Sequence, residues 1–354
     1  MDPNRLQAVI TAELARRRAE LIAIDARLTP LADLLVEFVA VGGKRLRPEF
    51  LWCGWTADPT PTTTTDDEAL LLVGAALELI QACALIHDDV IDRSDSRRGR
   101  PSTHRAVAKA HADAGLTGDP EHYGVSAAIL VGDLALAWAD DLYVAGAQGL
   151  GAIDRSASVW AAMRTEVLGG QLLDLLTSSS STADPAAQAT DAMRVNRFKT
   201  AAYTVERPLQ LGAELAGASA ATVTALRGYG ADIGVAFQLR DDLLGVYGDP
   251  AVTGKPAGDD LLEGKRTVLL ATARAGLQEA PELLAELDAG IGRAAADPAR
   301  LAEIIAGTGA PDVVEERIAA LVRSGLAALD AGQVSPVARA RLGELALAAT
   351  ARRS

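Results

Sequence analysis

A chain of 354 residues with a formal net charge of −13 repels polyanions, which argues against nucleic acid as a partner. Hydrophobic residues make up 49% and aromatics only 4%, so the apolar content is mostly Ala, Leu and Val, a mixture that builds helices rather than sheets. Two cysteines and four histidines supply neither a disulfide framework nor a zinc site, and Cys53 and Cys83, in apolar helical surroundings, read as buried thiols of a reducing compartment.

The segment Met1-Asp2-Pro3-Asn4-Arg5 lacks the apolar region of a signal peptide, and the richest apolar run, Val125 to Ala139, is interrupted by Asp133. A cytoplasmic protein with no stable membrane insertion is expected. Leu6, Ile10, Leu14, Leu21 and Ile24 recur at helical spacing and predict a first helix over 4–28. Pro30 opens a second over 31–40. Gly42-Gly43-Lys44-Arg45-Leu46-Arg47-Pro48 then breaks the pattern and holds basic residues where a loop meets the next helix, at 48–57. The run from Pro59 to Asp67 is a low-complexity surface loop.

A long helix over 68–94, apolar on several faces, reads as central. Further helices are predicted at 102–114, 122–148, 154–177, 186–216 and 220–247, followed by short helices from 267 to 352. Neither a strand-rich region nor an interdomain linker is visible, so one all-α domain over residues 1–354 is expected.

The long central helix ends in Asp88-Asp89-Val90-Ile91-Asp92, with Arg97-Arg98-Gly99-Arg100 just beyond. Asp88 and Asp92 are four residues apart and share a helix face, whereas Asp89 lies about 100° around. Carboxylates crowded at a helix C-terminus oppose its dipole and repel one another. A solvated turn or a divalent metal carrying a phosphate would each offset that cost. The helix over 220–247 ends the same way, in Gln238-Leu239-Arg240-Asp241-Asp242-Leu243-Leu244-Gly245, and basic residues again follow: Lys255, then Lys265-Arg266. Two such termini favour one cavity with facing carboxylates. There Mg²⁺, which takes few protein carboxylates and completes its shell with water and phosphate, would clamp a diphosphate.

With Lys199-Thr200 between these termini and Gly264-Lys265-Arg266-Thr267 after them, the ordered set over residues 40 to 270 resembles the trans-isoprenyl diphosphate synthases, or polyprenyl synthetases. The resemblance implies a single helical bundle of the isoprenoid synthase type around a central substrate cavity. It also implies transfer of an allylic group (dimethylallyl, geranyl or farnesyl diphosphate) to isopentenyl diphosphate, with three Mg²⁺ per site and a homodimer. By position, Asp88, Asp89 and Asp92 resemble the first metal-binding motif, and Asp241 and Asp242 the second. Arg97, Lys199, Gln238, Lys255 and Lys265 match the allylic diphosphate pocket. Lys44, Arg47, Arg98 and Gln81 match the isopentenyl diphosphate site, and Thr200 with Gln238 the dipoles beside the developing carbocation. The diphosphate itself takes the proton in this family, so His87 needs no role as a base.

One position departs from the pattern: Gly245 stands where many relatives carry a third aspartate, a contact that water or Asp249 could replace. The family's chain-length wall lies just before the first motif, where Cys83 and Ala84 are both small. A C20 product, geranylgeranyl diphosphate, is expected over C15, with farnesyl or longer products the alternative. A class I terpene cyclase would leave Lys44, Arg47 and Arg98 without purpose, and a silent synthase subunit would not need the complete first motif.

Overall fold

The computed structural model describes residues 1–41, 43–58, 67–179, 184–249 and 257–350. Four of the helices begin at an Asp-Pro step. Asp2, Asp119, Asp184 and Asp297 each accept a backbone N–H from two residues ahead, and each is followed by a proline whose missing N–H needs no partner at a first helical turn. These caps start α1 (Pro3–Ile24), α6 (Pro120–Gly149), α8 (Pro185–Val195) and α14 (Pro298–Gly307).

Contacts divide the chain into two units that interleave in sequence. The first comprises Met1–Trp55, Thr60–Ser158 and Leu211–Ala218; the second comprises Thr56–Pro59, Val159–Gln210 and Ser219–Ser354. The first unit contains α1, α2 (Thr29–Ala40), α3 (Leu46–Trp55), α4 (Asp67–Ile91), α5 (Thr103–Asp113) and α6. Its core is α4, packed on α6 and α1 through fully buried Leu70, Leu77, Ile80 and Ile86. By length and composition Glu68–Ile91 could cross a bilayer, but 78% of its most apolar window is buried in the protein, as in a core helix.

One contact fixes the register of α4 against α6. His87 donates through Nε2 to the Ile129 carbonyl at 3.1 Å, and its ring fills a notch at Gly132, where a Cβ would stand 2.2 Å from Nε2. Cys83, one turn earlier on the same face, places Sγ 3.7 Å from His87 Nδ1. Both cysteines are free and buried, and burial pushes the Cys83 thiol up to about 12.

The second unit takes most of α7 (Ile153–Ser179), with α8, α10 (Ala220–Tyr247) and five shorter or peripheral helices: α11 (Asp259–Glu263), α12 (Val268–Gly276), α13 (Pro281–Gly290), α14 and α15 (Ala310–Asp330). A further helix, α16 (Pro336–Thr350), closes the described chain. Leu239, Leu269, Leu287, Ile305 and Val314 are among the buried residues of this core.

The helix predicted over 186–216 is three segments. Between α8 and α9 (Arg207–Ala216) lies an eleven-residue π-helical stretch, Asn196–Glu206. Glycines on the neighbouring helices let it lie close. A Cβ on Gly170 of α7 would fall 2.2 Å from the Lys199 nitrogen, and Cβ atoms on Gly230 and Gly234 of α10 would fall 2.5 Å from the Glu206 Cα and 2.7 Å from the Ala201 Cα. Widened turns of this kind are sparse in proteins and gather at functional sites.

Candidate active site

Helix α4 stops abruptly. Ser94 N–H bonds to the Asp89 carbonyl at 2.9 Å and Arg93 N–H to the Val90 carbonyl at 3.3 Å, with Arg93 in the left-handed region at φ 55°. That is a Schellman stop, made with arginine where glycine is usual. The chain then forms the only strand pair among the described residues, Ser96–Arg97 against Arg100–Pro101. Its two-residue turn, Arg98 (φ 54°) and Gly99 (φ 73°), has the positive angles of a type I′ hairpin.

The hairpin folds Arg97 back onto the helix end. Arg97 donates to Asp89 Oδ1 through Nε at 2.9 Å and also through Nη2, and Nη2 lies 3.6 Å from Asp88 Oδ2. Asp89 is fully buried, and burial raises its pKa against the pull of Arg97. Its Oδ2 has no hydrogen-bond partner among the described residues. The three carboxylates are therefore unlike. Asp88 and Asp92 remain partly open on one face, and Asp89 is sunk beneath the guanidinium.

Arg98 leads into a second basic group. Its guanidinium lies above the Phe38 ring at 5.9 Å, and a Cβ on Gly43 would come within 3.3 Å of Nη2. Burial holds the Arg98 guanidinium below its usual range, Glu78 opposes this, and Arg97, Arg45 and Arg47 add to it. The predicted isopentenyl-site residues Arg47 and Arg98 are thus electrostatic neighbours, with Lys44 exposed beside Gly43. Arg45, unremarked in the sequence, pairs with buried Glu78 and donates to the Val39 carbonyl at 2.9 Å. It keys the loop onto α4 and α2. Gln81 lies half-buried on α4, seven residues before Asp88 and so on the same side.

In the second unit the π-helical stretch carries Lys199, whose Nζ meets Asp174 Oδ2 of α7 at 2.6 Å, and half-buried Thr200. Asp174 escaped the sequence reading because it stands alone between leucines. At the end of α10, Asp241 is exposed and Asp242 buried. Asp242 accepts from Gln238 Nε2 at 2.8 Å and from Asn196 Nδ2 at 3.4 Å. Burial pushes Asp242 up to about 7; the Gln238 hydrogen bond opposes this, and Asp260 and Asp241 add to it. Lys265 bonds Asp260 Oδ1 at 2.6 Å and lies 3.0 Å from Glu263. Burial works against its charge, but these two carboxylates outweigh it and hold the ammonium well above its usual range. Lys255 lies outside the described residues.

Among the described residues no three His, Cys, Asp or Glu side chains converge as a metal cage. Mg²⁺ takes one or two carboxylates and fills its octahedron with water and substrate phosphate. The open Asp88–Asp92 pair, and a buried Asp242 that accepts from two amides among the described residues, are donor sets of that kind.

Residues 29–307 match the model of the polyprenyl synthetase family, and the chain belongs to that family. It is thereby an isoprenyl diphosphate synthase, an enzyme of prenyl transfer. It is 34% identical over 298 residues to a geranylfarnesyl diphosphate synthase of Aeropyrum pernix, covering 82% of this chain and 84% of that one. To a geranylgeranyl diphosphate synthase of Mycobacterium tuberculosis (strain ATCC 25618 / H37Rv) it is 33% identical over 75% of this chain and 69% of the relative. The fold superposes with a TM-score of 0.92 and 46% identity, over all of both chains, on a crystal structure of geranylgeranyl pyrophosphate synthase from Corynebacterium glutamicum complexed with isoprenyl diphosphate and magnesium. The all-α expectation holds.

Proposed function

We propose that this synthase condenses isopentenyl diphosphate with an allylic diphosphate, releases diphosphate and stops at the C20 product, geranylgeranyl diphosphate. The observation that carries the product length is Ala84. It lies one helical turn, about 6 Å, before Asp88 on the stripe Ala84–Asp88–Asp92, and presents only a methyl group there. Cys83 is buried on the His87 side, toward α6, which supports Ala84 as the measuring residue of the two. Similarity to geranylgeranyl and geranylfarnesyl synthases supports a product of C20 or near it.

Asp88 and Asp92 would hold Mg²⁺ on the allylic diphosphate, and Asp241 with Asp242 the remaining ion, three in all. Mg²⁺, when bound, neutralises charge on the leaving diphosphate. Asp89 keeps Arg97 aimed along the same helix end, so a guanidinium is fixed in place before substrate arrives. Lys199, held by Asp174, adds a second cation, with Lys255 and Lys265 completing the group. Thr200 and the carbonyl of Gln238 present dipoles to the allylic cation. Lys44, Arg47, Arg98 and Gln81 bind isopentenyl diphosphate, in a group whose guanidiniums exceed the carboxylates facing them.

Read as a single polyprenyl synthetase domain, the chain would work in the cytoplasm as a homodimer. Exposed Leu168, Leu172, Leu175 and Leu176 on α7, and exposed Ile129, Leu130 and Val144 on α6, are the apolar faces that support a second copy. The test is chromatography of products made from isopentenyl diphosphate with each of the C5, C10 and C15 primers. C20 is expected from all three, and Ala84→Phe should shorten the product by at least one isoprene unit. An unchanged product from that variant would place the wall elsewhere.

A further inference from the structure

The second acidic terminus lacks a carboxylate at Gly245, yet the space such a side chain would occupy is filled. A Cβ built on Gly245 would stand 1.9 Å from Asp260 Oδ2 and 2.5 Å from its Cγ. The carboxylate of Asp260, from α11, therefore lies against the bare backbone of α10. Several bonds hold it there. Gly258, left-handed at φ 80°, donates its N–H to the Gly245 carbonyl at 3.0 Å, and its own carbonyl accepts from Leu261 N–H at 3.0 Å. The Asp260 carbonyl accepts the Lys265 N–H at 3.0 Å, while Lys265 Nζ takes Oδ1 at 2.6 Å. One carboxylate oxygen is thus engaged by lysine and the other faces Gly245.

We infer that Asp260 supplies, from another helix, the third carboxylate that residue 245 does not provide, and that glycine stands at 245 to admit it. The inference deepens the proposed function and rests on it. Asp249, the other substitute in reach by sequence, is exposed, whereas Asp260 is seated where the missing side chain would have been.

The prediction is a carboxylate that can be moved. The readout is calorimetric titration of inorganic diphosphate into the full chain in MgCl₂, with the metal-free melting temperature as the check on folding. Asp260→Asn, which keeps shape and removes charge, should weaken Mg²⁺-dependent diphosphate binding about tenfold or more. Gly245→Asp should weaken it as well, because two carboxylates then compete for one space. The double variant Gly245→Asp/Asp260→Ala returns one carboxylate to that space and should bind more tightly than either single variant, a non-additive rescue. Wild-type binding by Asp260→Asn, or a folded double variant no tighter than Gly245→Asp, would overturn the inference alone. If the double variant does not fold, Asp260→Asn decides. A wild-type chain with no Mg²⁺-dependent diphosphate binding would overturn the transferase reading and this inference with it.

Discussion

The ends of α4 and α10 carry the same aspartate pair and treat it differently. At the end of α4 the buried carboxylate, Asp89, is neutralised by Arg97, which the hairpin turns back onto it. At the end of α10 the buried carboxylate, Asp242, meets, among the described residues, the amides of Gln238 and Asn196, and the neighbouring Lys265 pairs with Asp260 and Glu263. A buried charge without a cation is costly, and here the cost shows as a carboxyl that holds its proton up to about pH 7. The first terminus is organised by the protein itself. On the proposed function, the second is the one that relies on Mg²⁺ to offset its buried carboxylate.

The largest effect should come from the open carboxylates of the first terminus. Asp88→Ala is expected to lower kcat on the order of 10³-fold, measured with a C15 primer and isopentenyl diphosphate, because it removes one of the two carboxylates proposed to hold Mg²⁺ on the departing diphosphate. Near-normal turnover would break the metal assignment. Next, Arg97→Leu strands Asp89 without its cation and should cost about 3 kcal/mol in denaturant unfolding. If stability is unchanged, Asp89 is not held by that pair. Gly170→Ala should cost about 1–3 kcal/mol by forcing a methyl into the π-helical backbone at Lys199, and should lower kcat as the lysine moves.

The smallest effect is a pH slope belonging to the second terminus. Asp242 titrates near 7 in the folded chain and near 4 when unfolded, so the folded state binds the extra proton in that window. Metal-free stability should therefore fall as pH rises from about 4 to 7, and Asp242→Asn should flatten the melting-temperature profile. An equal slope in both chains would assign the proton elsewhere.

Most helices and both acidic termini were legible in the sequence because they are local: hydrophobic period and clustered charge need no third dimension. What was hidden is set by distant residues. The π-helical stretch depends on glycines at 170, 230 and 234, and nothing in Asn196–Glu206 announces them. The motif D-D-x-x-D marks three carboxylates alike, and only the fold distinguishes buried Asp89 from its neighbours. Asp174, Arg45 and Asp260 each act through a partner from another element, so none stood out in a linear reading. Ile24, placed by spacing on the core stripe of α1, is 76% exposed, since period alone does not say how far the neighbouring helices extend.

The notch at Gly132 has a consequence for how such an enzyme diversifies. Cys83 and His87 fasten one side of α4 to α6, while Ala84, Asp88 and Asp92 run along another. Under the measuring role proposed for Ala84, attachment and measurement fall on different stripes of one helix. A lineage could then swap the residue at 84 for a new product while the side that seats the helix goes untouched, so a change of chemistry need not pass through an unstable ancestor.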